Sequence, residues 1–322
     1  MTPTLLLAPL RGITEAPFRT LFTRFFSGFD LAVAPFINTY QGNKIKPTHL
    51  RDLLPENNQA LPVVPQILSK NPDNFISVAR ILCDLGYTTL NWNLGCPWPM
   101  VANKMRGSGL LPYPDKIDAF LEKVHCLPAA ISIKTRLGRR DPNEIFDLLP
   151  VFNRYPLREV IIHPRTGTQM YRGTVDLDTF GRCLEQCRHP VVYNGDITCL
   201  ADFQGLTERF PRISAWMIGR GALANPFLPA RIKGIALPDD PLARIIAYHD
   251  ALFAHFNEKQ SGPGHILGHM KGIWLYLAGS FSDGGKLLKK IQKTHSIEGY
   301  GELMGTVFNT HCWQPPQTGG FS

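Results

Sequence analysis

Short, almost wholly apolar runs recur along roughly the first 230 residues, at 5–8, 31–34, 63–67, 89–93, 130–135, 160–163, 191–194 and 216–218. Unbroken apolarity, rather than alternation, predicts strands covered on both faces, as in a parallel sheet. The stretches between them carry helical spacing. Asn71-Pro72 opens one with Phe75, Val78, Ala79 and Leu82 on a single face, closed by Gly86. Pro114-Asp115 opens another with Ile117, Phe120, Leu121 and Val124, and Asp141-Pro142 a third with Ile145, Leu148, Leu149 and Phe152. An Asn or Asp cap followed by proline, then apolar residues at i, i+3, i+4 and i+7, is a helix start with a mechanism: the cap accepts an orphan N–H and proline's fixed φ suits the first turn. Eight such strands alternating with helices is the arithmetic of an α/β fold of the (β/α)₈ barrel type, a TIM barrel. A doubly wound open sheet is the alternative.

After Pro238 the strand signals stop. Asp240-Pro241 starts a helix with Ile245, Tyr248, Leu252 and Phe256 in register, and further helical segments follow at 266–277 and 286–293. The expected organisation is therefore a barrel over 1–235, an all-helical C-terminal domain over 240–312 and a tail over 313–322.

Composition narrows the classes. No run approaches the 18 or so apolar residues that span a bilayer, and the N-terminus lacks a basic leader, so no membrane partner and a cytoplasmic location are expected. Seven irregularly spaced cysteines read as free thiols. Cys183, Cys187 and His189 lie on and just beyond an amphipathic helix with no second pair to complete a tetrahedral site, so no metal is expected. No spare apolar stripe appears, and a monomer is expected. The formal charge of +8 admits a polyanionic partner. Its distribution sharpens that: between Lys259 and His295 stand six lysines against the single acid Asp283.

In a barrel of this kind, reactive groups gather where strands end. Here those ends carry Arg11, Gln66, Asn93 with Cys96, Lys134 with Arg136, His163 with Arg165, Asn194 with Asp196, and Arg220. Gly195 and the Gly219/Gly221 pair let backbone N–H groups approach an anion closely, and Arg220 adds charge, which suggests a phosphate cradle after the seventh and eighth strands. The stretch 279–286 imitates a P-loop out of register, and 262–268 imitates a dinucleotide fingerprint without its strand; neither is one.

Taken together, Ala8-Pro9-Leu10-x-Gly12, Gln66, Asn93-x-Gly95-Cys96-Pro97, Lys134-x-Arg136-Leu137-Gly138, His163-x-Arg165-Thr166-x-x-Gln169, Asn194-Gly195-Asp196 and Gly219-Arg220-Gly221 resemble the bacterial tRNA-dihydrouridine synthase family. The resemblance implies FMN at the strand ends, NADPH as reductant, and reduction of the uridine 5,6 double bond in tRNA. By motif position, Pro9, Leu10, Arg11 and Gln66 would lie against the isoalloxazine, with Asn93, Lys134 and His163 lining it. Asn194, Gly195, Asp196, Gly219 and Arg220 would hold the ribityl phosphate, and Cys96 would be the catalytic acid. Apart from the motifs, His163, Arg136 and Arg165 are candidates for holding the uracil carbonyls or a neighbouring phosphate, and the C-terminal charge makes Lys271, Lys286, Lys289, Lys290 and Lys293 candidates for RNA contact. Two positions depart from the family pattern: Leu10 stands where Met is usual, and Pro164 where Gly is usual, removing an N–H.

The chemistry is coherent on its own terms. Hydride delivered to uracil C6 leaves negative charge over C5 and the C4 oxygen, and an acid must protonate C5; a thiol with a reference pKa of about 8.5 is mostly protonated at neutral pH. A base must leave its stack to reach a barrel mouth, which loops of folded RNA make easier. Two alternatives stay open: a flavin barrel acting on a free pyrimidine or enone, and a non-catalytic RNA-binding barrel.

Overall fold

The computed structural model describes residues 2–39, 47–259 and 262–316. Among the described residues there are ten strands: β1 (Thr4–Leu7), β2 (Leu31–Val33), β3 (Ile37–Asn38), β4 (Val63–Val64), β5 (Gln66–Leu68), β6 (Thr89–Leu94), β7 (Ala130–Gly138), β8 (Leu157–Thr166), β9 (Val191–Tyr193) and β10 (Ala215–Ile218). They pair in the order β3-β5-β6-β7-β8-β9-β10-β1-β2-β4, with every ladder parallel.

The two ends of that order are not free edges. β2 and β3 are successive pieces of one apolar run broken around Pro35, and β4 and β5 flank Pro65. Proline has no N–H to give the ladder, so each run splits where proline falls. β2 pairs with β4 and β3 with β5, and the Ala34 amide donates to the Val64 carbonyl at 3.0 Å across the break. The second and third runs thus meet along both halves. The ten pieces make eight staves and the ring closes, as a (β/α)₈ barrel requires.

The outer helices bury the faces that periodicity marks: Phe75, Val78, Ala79 and Leu82 on Pro72–Asp84, and Ile117, Phe120, Leu121 and Val124 on Pro114–Val124. Asn71 caps the first by accepting the Asn74 amide at 2.9 Å. Phe120 stacks flat on Trp92 of β6 with ring centroids 3.8 Å apart, joining helix layer to strand layer.

Beyond the barrel lie helices Pro241–Lys259, Pro263–Leu277, Gly284–Gln292 and Ile297–Thr310. The first is fixed to barrel helix Ala16–Phe25 by an aromatic cluster in which Tyr248 lies 5.0 to 6.2 Å from Phe18, Phe22, Phe25 and Phe26. The last lies within the region expected to be all-helical, 240–312, though no helix of its own was expected there. Its Tyr300 hydroxyl accepts from Trp274 Nε1 and meets His249 Nε2, both at 2.8 Å. One buried hydroxyl thus ties three helices together. Among the described residues no helix is long and apolar enough to cross a membrane, and no cluster could hold a metal ion.

Candidate active site

The C-terminal strand ends surround a hollow of about 280 Å³, closed on one side by Tyr276 of helix Pro263–Leu277. Pro9, Leu10, Arg11, Gln66, Asn93, Cys96, Lys134, Arg136, His163, Asn194, Gly195, Asp196, Gly219 and Arg220 all line it. Arg165 and the C-terminal lysines do not. Trp98, Tyr171 and Tyr276 also line it and were not singled out as site residues; Tyr276 is brought there from the helical region by the fold, whereas Trp98 stands two residues from Cys96 in sequence.

A buried amide ladder positions the strand-four end. Gln66 Nε2 donates to Asn91 Oδ1 and Asn93 Nδ2 donates to Gln66 Oε1, both at 2.7 Å. Asn91 continues to Ser132 Oγ at 2.8 Å. With its amide nitrogen so committed, Asn93 turns Oδ1 to the backbone N–H groups of Gly95 (3.1 Å) and Cys96 (2.9 Å).

Cys96 is therefore held from several directions. Its carbonyl accepts from the Ser108 amide at 3.0 Å and from Ser108 Oγ at 3.1 Å. Arg136 Nε donates to the preceding carbonyl, Gly95 O, at 3.0 Å. Gly107, at φ +54°, lies so close that an added Cβ would sit 2.9 Å from that of Cys96; the position tolerates only glycine. The side chain is 8% exposed. Burial pushes its thiol up, and the Trp98 amide with the cations Arg136, Arg11 and Lys134 pulls the other way without winning. The sulfur stays protonated at neutral pH, the state an acid needs.

The neighbouring wall, on β7 and β8, is cationic. Lys134 is brought down to about 7 by burial first and by Arg136 second, and among the described residues it has no carboxylate partner. Arg136 is lowered to about 10, mainly by burial, while it donates Nη1 to the Thr166 carbonyl at 2.8 Å. His163 is held well below its usual value, by burial first and then by Arg136, Lys134, Arg165 and Arg220. It is neutral. Since Arg165 Nη1, 3.2 Å away, can only donate, His163 Nε2 accepts and its proton resides on Nδ1.

Arg165 is 2% exposed and organises rather than reaches out. Its Nη1 donates to Asp196 Oδ1 at 2.9 Å, and its Nη2 to Asp196 Oδ2 and to the Gly173 carbonyl, the latter at 2.6 Å. Asp196 also accepts from Arg220 Nη2 at 2.7 Å, so one carboxylate aligns two guanidiniums. The β7–β8 register shifts between Arg136 and Gly138, where β8 spends one residue more than β7. Pro164 falls in that bulge, where its missing N–H costs the ladder nothing.

Beside this clamp, the amides of Gly195, Asp196 and Ile197 make no hydrogen bond among the described residues, and all three residues line the hollow. Asp196 adopts φ +37°. Cβ atoms added at Gly195 and Gly219 would meet Val175 Cγ1 at 3.0 Å and Ala8 Cβ at 3.1 Å. Consecutive unpaired amides with flanking arginine form an anion-binding concavity. Together with an unpartnered lysine at the same hollow, this donor set fits a phosphorylated cofactor whose ring becomes electron-rich on reduction.

The C-terminal lysines divide. Lys286, Lys289, Lys290 and Lys293 are exposed on or just after helix Gly284–Gln292, Lys286 pairing only with Asp283 at 3.3 Å. Lys271 is used internally: its Nζ donates to the Gln292 and Thr294 carbonyls at 3.0 and 2.6 Å, tying down that helix's C-terminal end.

Comparison with known proteins agrees with this geometry. Residues 6–281 match the dihydrouridine synthase (Dus) family. The tRNA-dihydrouridine synthase B of Pasteurella multocida is 30% identical over 228 residues, covering 69% of this chain and 66% of that protein. Its namesake from Escherichia coli K12 is 28% identical over 279 residues, covering 82% and 83%. Among solved structures, morphinone reductase in complex with tetrahydroNAD shares the fold at a TM-score of 0.53 and 11% identity, over 74% of this chain and 89% of that one. Histamine dehydrogenase from Rhizobium sp. 4-9 does so at 0.54 and 11%, over 82% and 50%. With its barrel, its thiol-bearing strand end and its family match in agreement, the chain belongs to the dihydrouridine synthase family.

Proposed function

We propose that this protein reduces the 5,6 double bond of specific uridines in tRNA, with FMN as its flavin, NADPH as the electron source and Cys96 as the proton donor. Bound FMN would supply the hydride that uracil C6 accepts. Cys96 then delivers its proton to C5, the carbon that carries the resulting negative charge; the support for this role is a thiol kept protonated by burial on the wall of the hollow. Lys134, Arg136 and the Nδ1–H of neutral His163 are the donors available to the uracil carbonyls and to the flavin ring, and in a low-dielectric hollow the positive charge of Arg136 and of protonated Lys134 acts strongly. The residue 195–197 amides with Gly219 and Arg220 would take the flavin phosphate. The exposed lysines of the last quarter supply a surface for RNA phosphates.

The observation that carries the reading is the convergence of Cys96 and Lys134 on one hollow at the barrel mouth. Mapping dihydrouridine in tRNA from cells with and without the gene tests it. At least one uridine should lose its modification in the deletion and regain it on complementation. Identical maps in both strains would reject the proposal.

A further inference from the structure

We propose that the Trp98 indole is a stacking platform for the nucleobase adjoining the uridine that enters the hollow; this rests on the RNA reading above. Trp98 is 62% exposed and its neighbour Met100 is 82% exposed, yet Trp98 also lines the hollow, two residues from the thiol. Its backbone is fixed. Prolines 97 and 99 flank it, φ and ψ are −54° and 132°, and its carbonyl accepts from Val101 at 2.9 Å and Ala102 at 2.8 Å. Its amide faces the Cys96 thiol.

Among the described residues the indole has no ring or hydrogen-bond partner, so packing does not account for it. A large flat ring held in water by a stiff segment suits stacking, which every base can supply. The occupant must belong to a polymer, because the ring lies at the rim while the reacting base lies within. When one base flips out, its neighbours each lose a stacking face. Lys104 and Arg106 on the same segment, and exposed Arg11 at the mouth, provide the charge that a strand's phosphates require.

The test compares binding of the flavin-loaded protein to two labelled single-stranded heptanucleotides, one with a central uridine between adenosines, the other with that uridine between abasic sites. Trp98→Ala should weaken binding to the first by about 5- to 100-fold and leave the second within about twofold, and Trp98→Phe should restore most of the loss. The pH profile of Cys96 alkylation should be unchanged in both variants, since the backbone amide survives. Equal losses on both RNAs, or none on the first, would overturn the platform; a protein partner for the ring would give that second result. Uridine turnover by wild type alongside such a result would spare the reductase reading. A base-dependent Trp98 loss with no turnover on any RNA would keep the platform and reject the reductase instead.

Discussion

Asn93 Oδ1 accepts the backbone N–H of Cys96 at 2.9 Å while its Nδ2 is held by Gln66 at 2.7 Å. The strand-three end thereby orients the strand-four loop, and the thiol inherits its place from an amide pair that never touches it. Asn93→Ala removes the acceptor for two amides and leaves Gln66 Oε1 without its donor. The single-turnover reduction of tRNA should slow by about 10- to 100-fold, measured by flavin reoxidation, while alkylation of Cys96 becomes faster as the loop loosens. An unchanged rate would mean the loop holds itself.

Lys134 gives a pH signature with a definite sign. Its folded value is about 7 against an ordinary 10.5, so between those values the unfolded chain binds the proton and the folded flavin-free protein does not. Stability from this group therefore rises with pH from about 7 upward, and is lowest at and below 7, where the folded protein carries the buried charge. Lys134→Met should stabilise the flavin-free protein most near pH 6, with the advantage shrinking as pH climbs toward 10. Urea denaturation at several pH values reads this directly. A constant difference would contradict the assignment.

Lys286, Lys289, Lys290 and Lys293 are exposed with one carboxylate contact among them, from Lys286 to Asp283. Replacing all four by glutamine should weaken tRNA binding and reduce the slope of log affinity against log salt by about three, from roughly 0.7–0.9 per phosphate contact. Lys271→Gln should act differently, lowering the denaturation midpoint of the helical region because its bonds are internal. Equal salt slopes in wild type and the quadruple variant would place the RNA elsewhere.

The Tyr248 hydroxyl is buried without a partner among the described residues, inside the aromatic cluster that joins helix Pro241–Lys259 to the barrel. Tyr248→Phe removes an unsatisfied polar atom and keeps the ring contacts. It should stabilise the protein by about 1–2 kcal/mol in chemical denaturation. A loss of stability would reveal a partner for that hydroxyl.

Strand runs and their polar ends were legible because parallel strands buried on both faces write themselves as apolar runs with polar termini. The proline breaks at Pro35 and Pro65 were not, since only the closed ring shows that β2 with β3, and β4 with β5, are single staves. Helix Ile297–Thr310 falls in the stretch expected to be helical, but its own bounds were not legible because Gly299, Gly301 and Gly305 dilute its helix propensity, while its stability comes from burying Tyr300, Met304 and Val307. The residues on the hollow could be placed by strand end, but their division of labour could not. Asp196 reads as a phosphate neighbour in sequence; in the fold its carboxylate is consumed by Arg165 and Arg220. Arg165 and Lys271 read as RNA contacts and spend their donors on internal carbonyls or Asp196. Such commitments depend on partners from distant segments, as Tyr276 does for its place at the hollow.

The role of Cys96 is tested most directly by mixing anaerobically reduced, flavin-loaded protein with unmodified tRNA transcripts, following flavin reoxidation and the mass of the RNA. Wild type should reoxidise and add two hydrogens to the RNA. Cys96→Ala should keep the flavin spectrum and its reduction by NADPH but lose about 10²- to 10⁴-fold in the RNA-dependent step. Reoxidation by tRNA at the wild-type rate in Cys96→Ala, with the same gain in RNA mass, would contradict the account.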